Sequence, residues 1–302
     1  MDLKFIAADD VKKVLRYNDL IPQMECALKK FSSKQVEQPV RSAVRVKEAN
    51  GFLGLMPAYS PEDEALATKL VTFFPQNTDV PTHNAIIAVF NSKTGIPEII
   101  MDGEVITTMR TAAVSAVATQ HLCAPNPQIL AVLGSGVQAR SHIQALSSIM
   151  SFNKIKIWSR TRKNADILAG EVDGTAYDSA QEAVKDADVI ITVTSSEKPV
   201  LKKEWVKPGA HINAVGACCP DWQEIDPDLV RSSVLYVDSR DAALKESGDV
   251  IMAKAEIFAE LGEMLLGLKD AKVHETTLFK SLGLAIEDVM SAKLVQNLLK
   301  KT

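Results

Sequence analysis

This sequence is short of the features that would tie it to a membrane, a metal or a nucleic acid. No apolar run approaches the roughly 18 residues that span a bilayer. Met1-Asp2-Leu3-Lys4 opens into an acidic, mixed segment instead of a signal sequence, so the expected location is cytoplasmic. Lys and Arg number 34 against 38 Asp and Glu, a formal net charge of -4. That balance lacks the clustered positive charge that nucleic acid or an anionic membrane surface requires. Cysteine is scarce: Cys26, Cys123, Cys218 and Cys219 have no paired zinc-site spacing, and the adjacent Cys218 and Cys219 could bridge only with strain, so all are expected as thiols. There is no short repeat, low-complexity stretch or long Gly/Ser linker. What is there is a 302-residue chain, 46% hydrophobic, able to bury one large or two modest cores. A small molecule is the partner class that fits.

The pattern changes near residue 125. Before it come a helical opening over 10–30, strand-like runs over 39–46, 66–74 and 85–90, and a small-residue helix over 103–122 with Asp102 placed to cap it. After Cys123-Ala124-Pro125-Asn126-Pro127, short apolar strands alternate with helices: 129–133, 155–159, 189–193, 211–215 and 234–237. Strands apolar on both faces and separated by helices indicate an α/β, doubly wound parallel sheet of Rossmann type. A last helix near 281–300 would return to the first half. The expectation is a nucleotide domain over 123–282, inserted in an α+β substrate and dimerisation domain made of 1–122 and 283–302.

Ile129-Leu130-Ala131-Val132-Leu133 runs into Gly134-Ser135-Gly136-Val137-Gln138-Ala139, after which Ile143, Leu146 and Met150 recur at helical spacing. Strand, glycine turn and helix stand in the order a dinucleotide site needs. Gly134 permits the tight turn, Gly136 lets backbone approach a pyrophosphate, and Ala139 replaces the third glycine where helix packs on sheet. An NAD site normally places an acid on the ribose hydroxyls at the end of the next strand. Here that strand ends Trp158-Ser159-Arg160-Thr161-Arg162-Lys163, hydroxyls and cations without an acid, which suits a 2'-phosphate and makes NADP(H) the expected cofactor.

In the first half, Arg110 lies among small and apolar residues, so its guanidinium needs a buried anion, either an internal carboxylate or one belonging to a ligand. Lys69 shares one face of its strand with Val71 and Phe73. An inward face would make it a proton donor near neutrality, but pattern alone favours an outward, solubilising lysine. Arg41 and Arg45 share a face for which exposure is the default. His83, in Pro81-Thr82-His83-Asn84, has a polar loop context. The pairs Asp226/Asp228 and Glu246/Asp249 read as helix starts and solvated loops.

Taken together these residues resemble the ornithine cyclodeaminase and mu-crystallin family, on its ketimine reductase side. The matching stretches include Gln38-Pro39-Val40-Arg41, Gly54-Leu55-Met56-Pro57-Ala58-Tyr59, Thr68-Lys69-Leu70-Val71-Thr72-Phe73, Arg110-Thr111-Ala112-Ala113 and the glycine turn. They continue through 204–216, 243–250 and 279–283, so the resemblance runs nearly end to end.

The resemblance implies that Arg41, Lys69 and Arg110 surround a substrate carboxylate, Arg110 also reaching the cofactor. Thr82, His83 and Asn84 would meet the nicotinamide end. Gly134, Ser135, Gly136, Val137 and Gln138 would hold the pyrophosphate, and Ser159, Arg160, Thr161 and Asn164 the adenosine phosphate. Thr194, Ser195, Val215 and Gly216 would line the groove, with Glu246 and Ser281 bordering the active site. It further implies a homodimer built through the first domain.

One departure matters. Where cyclodeaminases carry an aspartate for ornithine's distal amine, this chain places Cys218, and a neutral thiol supplies no carboxylate charge. The implied reaction is NADPH-dependent reduction of a cyclic ketimine carboxylate, with NADPH preferred over NADH. Substrates of that kind are Δ1-piperideine-2-carboxylate, Δ1-pyrroline-2-carboxylate and sulfur-containing ring ketimines. Its rivals are a cyclodeaminase or alanine-dehydrogenase-like enzyme, and a thyroid-hormone-binding or lens structural protein.

Overall fold

The computed structural model describes residues 3–301. Its contacts divide the chain into two compact units, Met1–Arg110 with Gly283–Thr302, and Thr111–Leu282. The chain thus leaves the first unit part-way along a helix and re-enters it near its end.

The first unit begins with β1 (Lys4–Ile6), α1 (Ala8–Val14) and α2 (Tyr17–Ser32). The single opening helix expected over 10–30 is two helices. The break falls at Leu15-Arg16, where the Arg16 guanidinium donates to the carbonyls of Lys12 (2.6 Å) and Lys13 (2.9 Å) and so closes α1. In α2, Leu20, Ile21, Met24, Ala27 and Leu28 recur at helical spacing and are all buried. There follow β2 (Ser42–Val46), β3 (Gly51–Ser60), β4 (Ala65–Phe73), β5 (His83–Phe90) and β6 (Pro97–Asp102). Among the described residues they form a six-stranded sheet in the order β1-β6-β5-β4-β3-β2, antiparallel except where β1 runs parallel to β6.

Strands β1, β3 and β6 were not foreseen, because none shows a strict apolar alternation. His83, expected in a loop, opens β5 and pairs with Phe73. One face of the sheet is core. Across neighbouring strands, Met56, Lys69, Ile87 and Met101 stand in one row and Ala58, Ala67, Val89 and Ile99 in the next, all buried. The C-terminal helix, Ala285–Leu299, completes this unit, and every residue from Ala285 to Ala292 is buried.

Between these parts runs α3 (Glu104–Leu122), whose first turn is held by the Asp102 carboxylate accepting from the Val105 amide at 2.9 Å. The second unit then alternates as expected: β7 (Ile129–Leu133), α4 (Val137–Ser147), β8 (Lys154–Trp158), α5 (Arg162–Glu171), β9 (Thr175–Ala176), α6 (Ala180–Val184), β10 (Val189–Thr192) and β11 (His211–Ala214). It continues with α7 (Pro227–Ser232), β12 (Val234–Val237), α8 (Arg240–Glu246), α9 (Gly248–Ala253), β13 (Ala259–Glu260), α10 (Leu261–Leu265) and β14 (Thr277–Lys280). The C-terminal helix is α11.

The described strands of this unit make an eight-stranded parallel sheet in the order β13-β12-β14-β11-β10-β7-β8-β9. Its strand order reverses between β7 and β10, and the carboxyl ends of strands at such a reversal are where doubly wound sheets hold ligands. Strand β14, inserted between β11 and β12, went unread because its four residues include Thr277 and Lys280. The last helix starts at Ala285 and not near Ser281, since Ser281 extends β14's line, donating its amide to the Ala214 carbonyl at 3.0 Å. No helix among the described residues is long and apolar enough to cross a membrane.

Two histidines are sealed inside the second unit. The Nδ1 of His142 lies 2.7 Å from the Gln138 carbonyl, which can only accept, so Nε2 is left to accept from the Ser115 hydroxyl at 2.9 Å. The Nδ1 of His211 lies 2.9 Å from Thr277 Oγ1. Burial pushes His142 down to about 4 and His211 down to about 3, so both are neutral in the fold. The unfolded chain takes up protons at ordinary histidine values while the fold does not. Stability is therefore fully present above about pH 6.5 and declines as pH falls towards about 4, by up to about 1.4 kcal/mol per histidine per pH unit. In urea unfolding from pH 7 to 5, His142→Gln is expected to lose stability less steeply than the wild type, whatever its absolute stability, and equal slopes would show that His142 is not a source of the dependence.

Candidate functional site

The first unit concentrates its chemistry where β4, α3 and α11 meet. Lys69 on β4 is 1% exposed and Arg110 on α3 is 5% exposed. Lys69 Nζ lies 2.7 Å from Asp288 Oδ2. The guanidinium of Arg110 grips the same element twice, Nε to Asp288 Oδ1 at 3.1 Å and Nη1 to Glu287 Oε2 at 2.8 Å. Two cations and two carboxylates thus cancel in a region closed to water. The outward lysine that strand pattern favoured is inward, because α11 lays Asp288 against that face. Of the two anions considered for Arg110, the structure supplies the internal one, and supplies it as a pair.

Burial and the neighbouring guanidinium pull the Lys69 ammonium down to about 8, against the upward pull of Asp288. Lys69 therefore holds its proton at neutral pH but gives it up far more readily than a surface lysine. Gly283, with φ +85°, lies directly against Arg110, and a side chain there would strike the guanidinium. Arg41 stands half-buried just before β2, and Arg45 is exposed on it. In the turn into β5, Thr82 Oγ1 lies 3.2 Å from His83 Nδ1, the His83 and Phe73 rings are 4.5 Å apart, and Asn84 donates to the Pro81 carbonyl at 3.2 Å.

In the second unit the turn after β7 has the geometry its sequence demands. Gly134 takes φ +130°, and a Cβ would sit 2.7 Å from the Val193 carbonyl oxygen, in the segment just after β10. Nothing lies within 4 Å of where a Gly136 Cβ would be, so the turn is open on that side. Gly136 starts α4 with no side-chain cap, which leaves the amides of the first helical turn, Val137 and Gln138 among them, directed at an anion's place. Ser135 Oγ donates to Ser159 Oγ at 2.8 Å, joining this turn to the end of β8. Beyond it Arg160, Thr161, Lys163 and Asn164 are exposed. Arg162 turns to Asp166 (2.9 Å) and Asp178 instead. An open glycine cradle, an uncapped helix start and an exposed rim with Arg160 and Lys163 fit a dinucleotide.

At the ends of β10 and β11, the amides of Val215 (2.9 Å) and Gly216 (3.3 Å) donate to the Thr192 carbonyl. Thr194 is half-buried and Ser195 exposed. Ser281 is buried with its Oγ unpartnered. Cys218 and Asp221 are exposed in the loop after β11, and Glu246 is half-buried at the end of α8. All four cysteines are thiols. Asp226 caps α7 by accepting from the Asp228 amide, as a helix start should. Asp249, read as solvated, is 1% exposed, because its carboxylate accepts from the amides of Glu224 and Ile225 and from Lys280 Nζ.

Sequence reading missed Glu287, Asp288, Glu224 and Lys280. The first two offered one signal, adjacent acids inside the apolar run Leu284-Ala285-Ile286-Glu287-Asp288-Val289-Met290, but acids in a first helical turn have an ordinary explanation in the helix dipole. Asp288→Asn removes the charge that holds Lys69 up. The Lys69 amine should then titrate below about 8 when followed by NMR of the lysine side chain, and an unchanged value would show that Asp288 does not govern it.

Comparison with known proteins places the chain among relatives of the same fold. The chain is 53% identical to ketimine reductase mu-crystallin of Mus musculus over 299 residues, 96% of each protein. It superposes with TM-score 0.94 on Thermococcus litoralis Δ1-pyrroline-2-carboxylate reductase in complex with NADH and L-proline, at 35% identity, covering 99% of this chain and 98% of that one. It superposes with TM-score 0.93 on an archaeal alanine dehydrogenase dimer with bound NAD, at 28% identity, covering 100% and 97%. The family pattern matches residues 1–302, and the chain belongs to the ornithine cyclodeaminase/mu-crystallin family.

Proposed function

We propose that this protein reduces the C=N bond of small cyclic ketimine carboxylates, of the piperideine, pyrroline and sulfur-ring kinds, to the cyclic imino acids, with NADPH preferred over NADH. The observation that carries this reading is the buried Lys69 ammonium, paired with Asp288 beside an arginine and softened to about 8. Reduction of an imine needs a proton on nitrogen as hydride arrives at carbon, and a group that ionises near neutrality serves that need. Lys69 keeps the imine nitrogen protonated. Arg110, oriented by Glu287 and Asp288, and Arg41 take the carboxylate, fixing the ring for attack.

When bound, the reduced nicotinamide supplies the hydride. The backbone amides after Gly136 would hold the pyrophosphate, Thr82, His83 and Asn84 the nicotinamide end, and Thr194, Ser195, Val215 and Gly216 the groove walls. Ser159, Arg160, Thr161 and Asn164 would hold a 2'-phosphate, the basis of the NADPH preference. Glu246 and Ser281 would border the substrate. Cys218 offers a thiol where cyclodeamination needs a carboxylate, which favours reduction over ring closure of ornithine.

A second copy of the chain is the partner that suits the uncovered face of the first unit's sheet. Val44 (59% exposed) and Ile86 (41%) stand there in rows with half-buried Leu53, Leu55 and Leu70. The related archaeal enzyme is a dimer.

The reading is tested by NADPH oxidation against a panel of cyclic ketimines, with NADH and ornithine as controls. Lys69→Met should lower turnover by about a hundredfold or more while leaving NADPH binding intact. Arg160→Ala should weaken NADPH about tenfold and NADH little. No ketimine turnover together with proline formed from ornithine would overturn the assignment. For the dimer, Ile86→Glu should halve the mass measured by light scattering, and an unchanged mass would place the interface elsewhere.

A further inference from the structure

A second set of buried ionic groups lies in the nucleotide-binding unit, and no step above uses it. Glu224, in the loop after β11, is fully buried. Its Oε1 accepts from the Thr194 amide at 2.5 Å, beyond the end of β10, while its Oε2 is buried without a partner. A Cβ on Gly216 would overlap both the Glu224 carboxylate and the Thr194 carbonyl, so the acid fills the space where these two chain segments approach. The Glu224 amide donates to Asp249 Oδ1 at 2.7 Å, and Lys280 Nζ donates to Asp249 Oδ2 at 3.0 Å and to the Gly216 carbonyl. Thr194 and Gly216 are thus tied from below to α9 and β14 through one acid and one lysine.

We propose that Glu224 is a positioning residue for the dinucleotide: it holds Thr194 and Gly216 at the groove without touching the cofactor, and does so in its protonated form. This rests on the dinucleotide reading above. The charged groups facing Glu224 are Lys280 from β14 and Asp249 from α9, while Thr192 at the end of β10 and Thr194 just beyond it are uncharged. Asp249 already answers the single ammonium, so an ionised Glu224 leaves one negative charge in excess and unsolvated. Burial, partly opposed by Lys280, accordingly pushes Glu224 up to about 7. A protonated carboxyl accepts from the Thr194 amide and packs against Gly216 without adding charge beneath an anionic ligand. As pH rises through about 7, the carboxyl ionises and places a negative charge under the groove.

The test is the affinity of the whole protein for NADH from pH 6 to 8.5, read by fluorescence titration. NADH is the probe because it lacks a monoester phosphate, which titrates near about pH 6. The Kd is expected to rise about tenfold across the range in the wild type. Glu224→Gln, which resembles the protonated acid, should stay tight and vary by less than about twofold, because the charge it removes is the source of the rise. Asp249→Asn, by removing a charge that keeps Glu224 protonated, should move the wild-type transition to lower pH. A flat wild-type profile, or a Glu224→Gln profile with the same rise as wild type, overturns the role of Glu224 while leaving the dinucleotide reading intact. Binding of neither NADH nor NADPH at any pH overturns both.

Discussion

A charge taken out of water has to be answered where it lies, and the paired carboxylates on α11 answer two at once. Lys69 and Arg110 come from a central strand and a long helix, and neither could be buried without Asp288 and Glu287. Desolvating each ion costs several kcal/mol, which a close opposite charge offsets only when the geometry is good. The carboxylates that meet that requirement arrive on the segment that returns to the first unit, and Gly283, just before them, leaves room for the guanidinium. The pairing also sets how firmly the lysine holds its proton. A buried lysine answered by one carboxylate and crowded by one guanidinium keeps its charge at neutral pH but gives up the proton more readily than a surface lysine.

The nucleotide-binding unit meets the same constraint with an odd count. Lys280 faces Asp249 and Glu224, so one acid is left over, and the fold keeps it by keeping its proton. The excess acid stands between the ends of β10 and β11, where irregular backbone has to be held in place. The turn after β7 follows the opposite principle. Gly136 is open and α4 is uncapped, so backbone donors there are left for a ligand in place of a side chain.

Much of this was legible in the sequence where the signal is local. The run 129–139 declares strand, turn and helix, because β7 is apolar throughout, Gly134 needs a positive φ and Ala139 is buried against the sheet. The alternation of apolar strands and helices after residue 125 declares the parallel sheet, since strands covered on both faces have no polar side. Short or mixed strands escaped: β14 ends in a lysine, and β3 contains Gly54 and Pro57. Their pairing comes from neighbours far along the chain and leaves no periodicity of its own.

The ionic residues divide on the same line. Sequence alone determined that Arg110 needs an anion, since its neighbours in α3 are apolar, and that the end of β8 carries cations without an acid. Only the tertiary structure decided that Lys69 faces inward, that its anion and Arg110's are one pair of carboxylates more than 170 residues away, and that Asp249 is buried. A single strand's alternation cannot say which face another element will cover. The charge state of a buried group depends on what that element brings.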